Sequence, residues 1–143
     1  MRSLVAWILG LGLAANGLIM LAAPADWYAA LPYVAETGPF NPHFVRDIGA
    51  AYFVAGTALV ALALRANAWP AALAAAAFLA LHAFVHLFDL AAGREHAHAF
   101  LVDLPTILTP ALLAIWLVWP SARRGLSTKE KNDDRMVSAT VDR

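Results

Sequence analysis

Two imidazoles and a carboxylate stand in the run His82-Ala-Phe-Val-His86-Leu-Phe-Asp89. Spacings of i, i+4 and i+7 put all three on one stripe of an α-helix, within about 60° of arc. Two histidines one turn apart can chelate an ion from a single helix face, as the zinc-protease helix does, with Asp89 as the third metal ligand. Imidazole and carboxylate together suit Zn, Cu or Fe better than Mg or Ca. Haem is a weaker version of the same idea. His82 and His86 are too close to straddle a haem plane, so the second ligand would come from His43, His96 or His98. A blander use of the same residues is to hydrogen-bond across helices or to handle protons. The glutamate of the zinc-protease motif is missing and there are no cysteines, so no single metal is selected.

Other titratable groups cluster nearby in sequence. Arg46 and Asp47 follow Asn41-Pro42-His43, and Asp103 precedes Pro105. Arg46 cannot lose its proton and needs an anionic partner, for which Asp89, Asp103 or a bound ligand are the choices. Asp47 would position or relay a proton, or simply sit comfortably at a helix N-terminus. Asp103 reads as an N-cap or as a third catalytic candidate beside Asp47 and Arg46. His43 and His98 are candidate cofactor contacts, with an interfacial or solvated side chain as the ordinary reading of each.

The elements that must position these groups are apolar to an unusual degree. Of the 143 residues, 62% are hydrophobic and only 14% charged, against about 45–50% and about 25% in soluble domains. Charge-poor runs cover Ser3–Ala23, Ile48–Leu64 with a natural upstream extension, Ala66–Phe88 and Leu104–Ala122. Runs of about 18 or more such residues read as membrane helices. The expected fold is therefore all-α, an integral membrane bundle of four transmembrane helices over residues 1–122. Residues 123–143 form a polar tail of mixed charge, expected to be cytoplasmic and disordered. Arg2, the first apolar run and Ala23-Pro24-Ala25 mimic a cleavable signal peptide. The run is long for that purpose and carries Asn16, Gly10, Gly12 and Gly17, so it is read as a retained span.

Asn41-Pro42 predicts an N-cap with proline at the first helical position, Pro70 a similar start, and Gly93 a stop. Pro110 predicts a kink, with Thr106 and Thr109 available to the freed backbone. Gly49, Ala51, Ala55 and Gly56 offer surfaces for tight helix contact. No heptad seam stands out. Arg2, Arg65, Arg123 and Arg124 fall on one side of the membrane, and Arg46 and Arg94 on the other, which places both termini in the cytoplasm.

With that topology, His82 lies near mid-membrane, and His86, Asp89, Arg46, Asp47, Asn16 and Asp103 lie in the outer half. The inner half holds almost nothing polar except Thr57. Ionisable groups inside a membrane are costly unless paired or hydrated. The expectation is a pocket that opens outward and stops near His82.

Several functions are excluded by what is missing. The body has no basic face for nucleic acid. Without cysteine there is no thiolate chemistry. No phosphate-cradling loop, dinucleotide fingerprint or serine elbow occurs.

The Gly-rich first span, its Ala/Pro turn, and the pattern Arg46, Gly49, Ala50, Tyr52, Ala55, Gly56 opening the second span resemble the small four-helix bacterial inner-membrane proteins grouped as DoxX-like. The likeness covers roughly residues 3–120. It implies the fold and a bacterial inner-membrane location, and leaves the histidine stripe unassigned. Two functions follow from the residues. One is an outward-facing pocket that holds a metal ion or small redox ligand through His82, His86 and Asp89, with redox or metal-assisted hydrolytic chemistry carried by that cofactor. The other is a non-enzymatic subunit or assembly factor, docked on a membrane partner or a second copy, whose polar residues are structural.

Overall fold

In lipid every backbone polar group must be satisfied internally, so apolar runs of this length are stable there as helices. The computed structural model of the chain describes residues 1–31, 34, 38–94 and 99–119. Four of its helical stretches are long and apolar enough to cross a membrane: Arg2–Ala22, Pro42–Leu64, Ala66–Ala91 and Phe100–Val118. The fold is all-α, with no strand among the described residues. Its elements are α1 (Arg2–Ala22), a short α2 (Pro24–Ala30), α3 (Pro42–Leu64) and a 3-10 turn (Ala66–Ala68). These are followed by α4 (Trp69–Ala91), α5 (Ala99–Asp103), a π-helical turn (Leu104–Leu108) and α6 (Thr109–Val118).

Local chemistry explains the boundaries. The Asn41 side chain accepts from the backbone N–H groups of His43 and Phe44 at 3.1 and 3.2 Å, with Pro42 next to it where no N–H is needed. At the far end of α4, Gly93 takes φ +69°, a left-handed conformation that a Cβ would disfavour. The Arg94 N–H then reaches the Asp89 carbonyl and the Gly93 N–H that of Leu90, the paired bonds of a Schellman stop. The fourth span begins earlier than the sequence reading had it. Asp103 has helical angles, φ −68° and ψ −30°, inside the span and is not its N-cap. Pro105 and Pro110 both lack a donor, and the backbone answers with the π-helical turn between them, where the Thr109 N–H bonds the Leu104 carbonyl. The hydroxyls of Thr106 and Thr109 donate to the carbonyls of Val102 (2.6 Å) and Leu104 (2.7 Å).

A heptad seam does exist. Buried positions recur as Ala6, Gly10, Leu13, Gly17 and Met20 on α1, and as Val45, Gly49, Tyr52, Gly56 and Leu59 on α3. Both alternate steps of four and three residues, the period of coiled-coil packing. The seam is hidden in the sequence because the lipid-facing positions between are apolar too. The two helices run antiparallel with backbones nearly touching. A Cβ on Gly10 would lie 2.8 Å from the Gly56 carbonyl oxygen, and one on Gly49 would lie 2.6 Å from Met20 Cβ. Gly10, Gly17 and Gly56 meet backbone atoms of the opposite helix, and Gly49 meets the Met20 side chain. Gly12, by contrast, has nothing within 4 Å and plays no part in the contact.

On the other side of α3, Ala72, Ala75, Ala76, Leu79 and Ala83 of α4 complete the core with Ala111, Ala114, Leu117 and Val118 of α6. The Trp69 indole N–H donates to the Val118 carbonyl at 2.8 Å and ties α4 to α6. Only 28% of the most apolar stretch of each span is buried inside the bundle. The remaining apolar surface, including Leu11, Phe44, Val54, Leu81 and Leu112, is suited to a bilayer.

Candidate functional site

The polar groups gather where α3, α4 and α5 meet. At 1.5 Å per residue, His82 lies about 14 Å from the α4 end at Ala91, and Tyr52 about 15 Å from the α3 start at Pro42. The two side chains are thus level, deep in the bundle. Their rings meet edge-on with centroids 5.6 Å apart. Phe78, one turn before His82, stacks on the imidazole at 6.0 Å and meets Tyr52 edge-on at 5.6 Å. One turn further along α4, the His86 ring lies 4.9 Å from that of His82. The file ends at Asp103, whose Oδ2 is 3.0 Å from His86 Nδ1. Asp103, His86, His82 and Tyr52 therefore form one continuous line of protonatable groups.

Burial makes this line consequential. The side chains of His86 and Asp103 are only 21% and 15% exposed, and Tyr52 is in the core. Among the described residues, the His82 ring nitrogens and the Tyr52 hydroxyl have no hydrogen-bond partner. At the other end His86 Nδ1 and Asp103 Oδ2 engage one another. The His82–Tyr52 end keeps donor and acceptor capacity in reserve, framed by aromatic rings.

Asp89 takes a different course. Its Oδ1 accepts from Arg94 Nη1 at 2.8 Å, and that guanidinium also lies over the Phe88 ring at 5.2 Å. The stripe of His82, His86 and Asp89 is one helix face as expected, but the carboxylate bonded to His86 is Asp103. Among the described residues, no group of three or more His, Asp or Glu side chains is arranged to hold a metal ion.

Arg46 and Asp47 lie apart from the cluster. On α3 they are turned about 120° and 140° away from Tyr52, and both are exposed. Arg46 Nε donates to the Leu21 carbonyl at 3.3 Å, so its partner is the negative end of α1, with no carboxylate involved. Asp47 pairs with His43 at 3.4 Å across one exposed turn. Asn16 accepts from the Trp27 indole N–H at 3.0 Å and donates to Met20 Sδ at 3.4 Å, fastening α2 against α1. His96 and His98 lie outside the described residues, as does the tail.

Nor do the two described clefts border the histidines. One, of about 320 Å³, lies at the Arg2 end between α1, α3 and α6. The other, of about 400 Å³, is an apolar groove between α4 and α6 from Trp69 to Ala80. Both lie toward the end that polarity alone marks as sealed. Sequence reasoning missed Tyr52 as a member of the site. Its signal was present: Tyr52 is the one hydroxyl-bearing residue on the α3 seam.

Compared with protein-family models, curated proteins and solved structures, the chain matches none.

Proposed function

We propose that this is a multi-pass membrane protein whose working element is the Asp103–His86–His82–Tyr52 file, a protonatable site that binds a small redox ligand reached from the bilayer. The continuity of that file across three helices is the observation that carries the reading. A ligand held between Tyr52 and His82 would meet an aromatic wall at Phe78, unspent hydrogen-bonding groups, and a carboxylate-backed imidazole able to pass a proton. The cofactor would supply the electrons. Metal ligation by His82, His86 and Asp89 has less support, because Arg94 engages Asp89; His82, His86 and Asp103 are the donors nearest to a metal set.

The sidedness proposed is that of a bacterial inner membrane protein with both termini in the cytoplasm. Arg94 is neutralised by Asp89 and Arg46 is bonded to a helix end. Arg2 and Arg65, at the opposite end, have no carboxylate partner among the described residues, as the positive-inside tendency favours. The DoxX-like resemblance, which rests on the small-residue pattern of the first two spans, agrees with this placement.

The test is ligand binding by purified protein. A short-tailed benzoquinone should quench intrinsic fluorescence saturably, and His82→Ala and Tyr52→Phe should each weaken it. Metal content and an optical spectrum of the same preparation decide the metal version. A metal-free protein that ignores the quinone, and whose fold survives His82→Ala, supports the second reading: a non-enzymatic subunit. The observation favouring that alternative is that the His86–Asp103 bond joins α4 to α5 beside apolar faces open to a partner.

A further inference from the structure

The cleft at the Arg2 end has a chemistry of its own. Its volume of about 320 Å³ is bounded by Arg2 and Ser3 of α1, by Leu62, Leu64 and Arg65 at the end of α3, and by Leu117 of α6. Arg2 and Arg65 thus come from separate helices to one cavity. The Arg65 guanidinium bonds nothing among the described residues, and that of Arg2 spends one donor on the Trp119 carbonyl at 3.4 Å while lying 5.0 Å from the Trp116 ring centroid. Each guanidinium has five N–H donors. The described carboxylates, Asp26, Asp47, Asp89 and Asp103, all lie toward the other end of the bundle. A cation at the start of α1 also opposes the positive end of that helix, a cost that a bound anion would reverse. Ser3 Oγ on the same rim donates its one proton to the Ala63 carbonyl at 3.3 Å, so the anion's donors are the guanidinium N–H groups.

We infer that this cleft binds a phosphate group between Arg2 and Arg65. A phosphate matches the planar, forked donors of guanidinium. Leu62, Leu64 and Leu117 continue the wall into the apolar span, which is where the chains of a phospholipid would lie. The source is therefore an anionic lipid headgroup or free phosphate, and the two are separable. The site is independent of the histidine cluster.

The experiment is native mass spectrometry of the full chain in detergent with phosphatidylglycerol, with phosphatidylcholine of identical acyl chains, and with inorganic phosphate alone. Wild type should retain phosphatidylglycerol about tenfold more than phosphatidylcholine, the scale of one charge-assisted hydrogen bond. Arg65→Gln, which removes no internal bond, should erase that preference, and Arg2→Gln should reduce it. Retention of inorganic phosphate alone, lost in the same variants, would uphold the phosphate site and assign it to the free ion. Equal retention of the two lipids by wild type together with no retention of inorganic phosphate, or an undiminished preference in Arg65→Gln, would overturn the inference.

Discussion

His86 and Asp103, on different helices and 17 residues apart in sequence, meet at 3.0 Å through Nδ1 and Oδ2, while Asp89, on the same helix as His86, turns to Arg94. The choice of carboxylate is made at the end of α4. The Schellman stop at Gly93 folds Arg94 back over the last turn, where its guanidinium captures Asp89 before a ligand or imidazole can. The chain then returns through α5 and delivers Asp103 to His86 instead.

The two aspartates should differ in energetic weight. Asp103→Ala strips a partner from a half-buried imidazole and is expected to cost about 1–3 kcal/mol. Asp89→Ala removes a pair whose Arg94 is largely exposed, worth about 0–1 kcal/mol. Thermal unfolding in detergent should rank them in that order, and a reversed ranking would contradict the assignment of His86 to Asp103.

Glycine substitutions test the α1–α3 seam. A Cβ at Gly56 would stand 2.5 Å from the Gly10 carbonyl oxygen, against backbone that cannot step aside. Gly56→Ala and Gly17→Ala should each destabilise by about 1–3 kcal/mol or more through overpacking. Gly12→Ala, facing open space, should be neutral or slightly stabilising because alanine favours the helix. Equal melting shifts for Gly12→Ala and Gly56→Ala would show that the helices do not cross there.

The Asn41 cap predicts a local effect. Asn41→Ala should cost about 0.5–2 kcal/mol and speed hydrogen exchange at the amides of His43 and Phe44, leaving those near His82 unchanged. Unaltered exchange at both amides would deny the cap.

Sidedness is open to labelling, since the chain has no cysteine of its own. Asn67→Cys, in the 3-10 turn, should be shielded from an impermeant reagent in intact cells, and Ala92→Cys should react. The opposite pattern would invert the bundle and move the histidine cluster toward the other face of the membrane.

The spans and several of their ends were legible in the sequence, because length without charge, Asn41-Pro42 and Gly93 act locally. The fourth span was misjudged at its start, since Asp103-Leu-Pro105 has the composition of a cap and only the π-helical turn lets the helix run through it. Helical periodicity places His82, His86 and Asp89 on one face but says nothing of the His86–Asp103 contact, because Asp103 is brought by tertiary return. Tyr52 is overlooked for a related reason: it carries the one hydroxyl on the α3 seam, but the imidazole it faces, His82, is brought to it by the packing of α4 on α3.

Isotope-labelled histidine spectra of wild type, Asp103→Asn and Asp89→Asn measure directly whether these groups form one site. The His82 and His86 ring signals should show a through-space contact with each other, both should shift in Asp103→Asn, and both should keep their wild-type positions in Asp89→Asn. Absence of that contact, or a stronger response to Asp89→Asn than to Asp103→Asn, would contradict it.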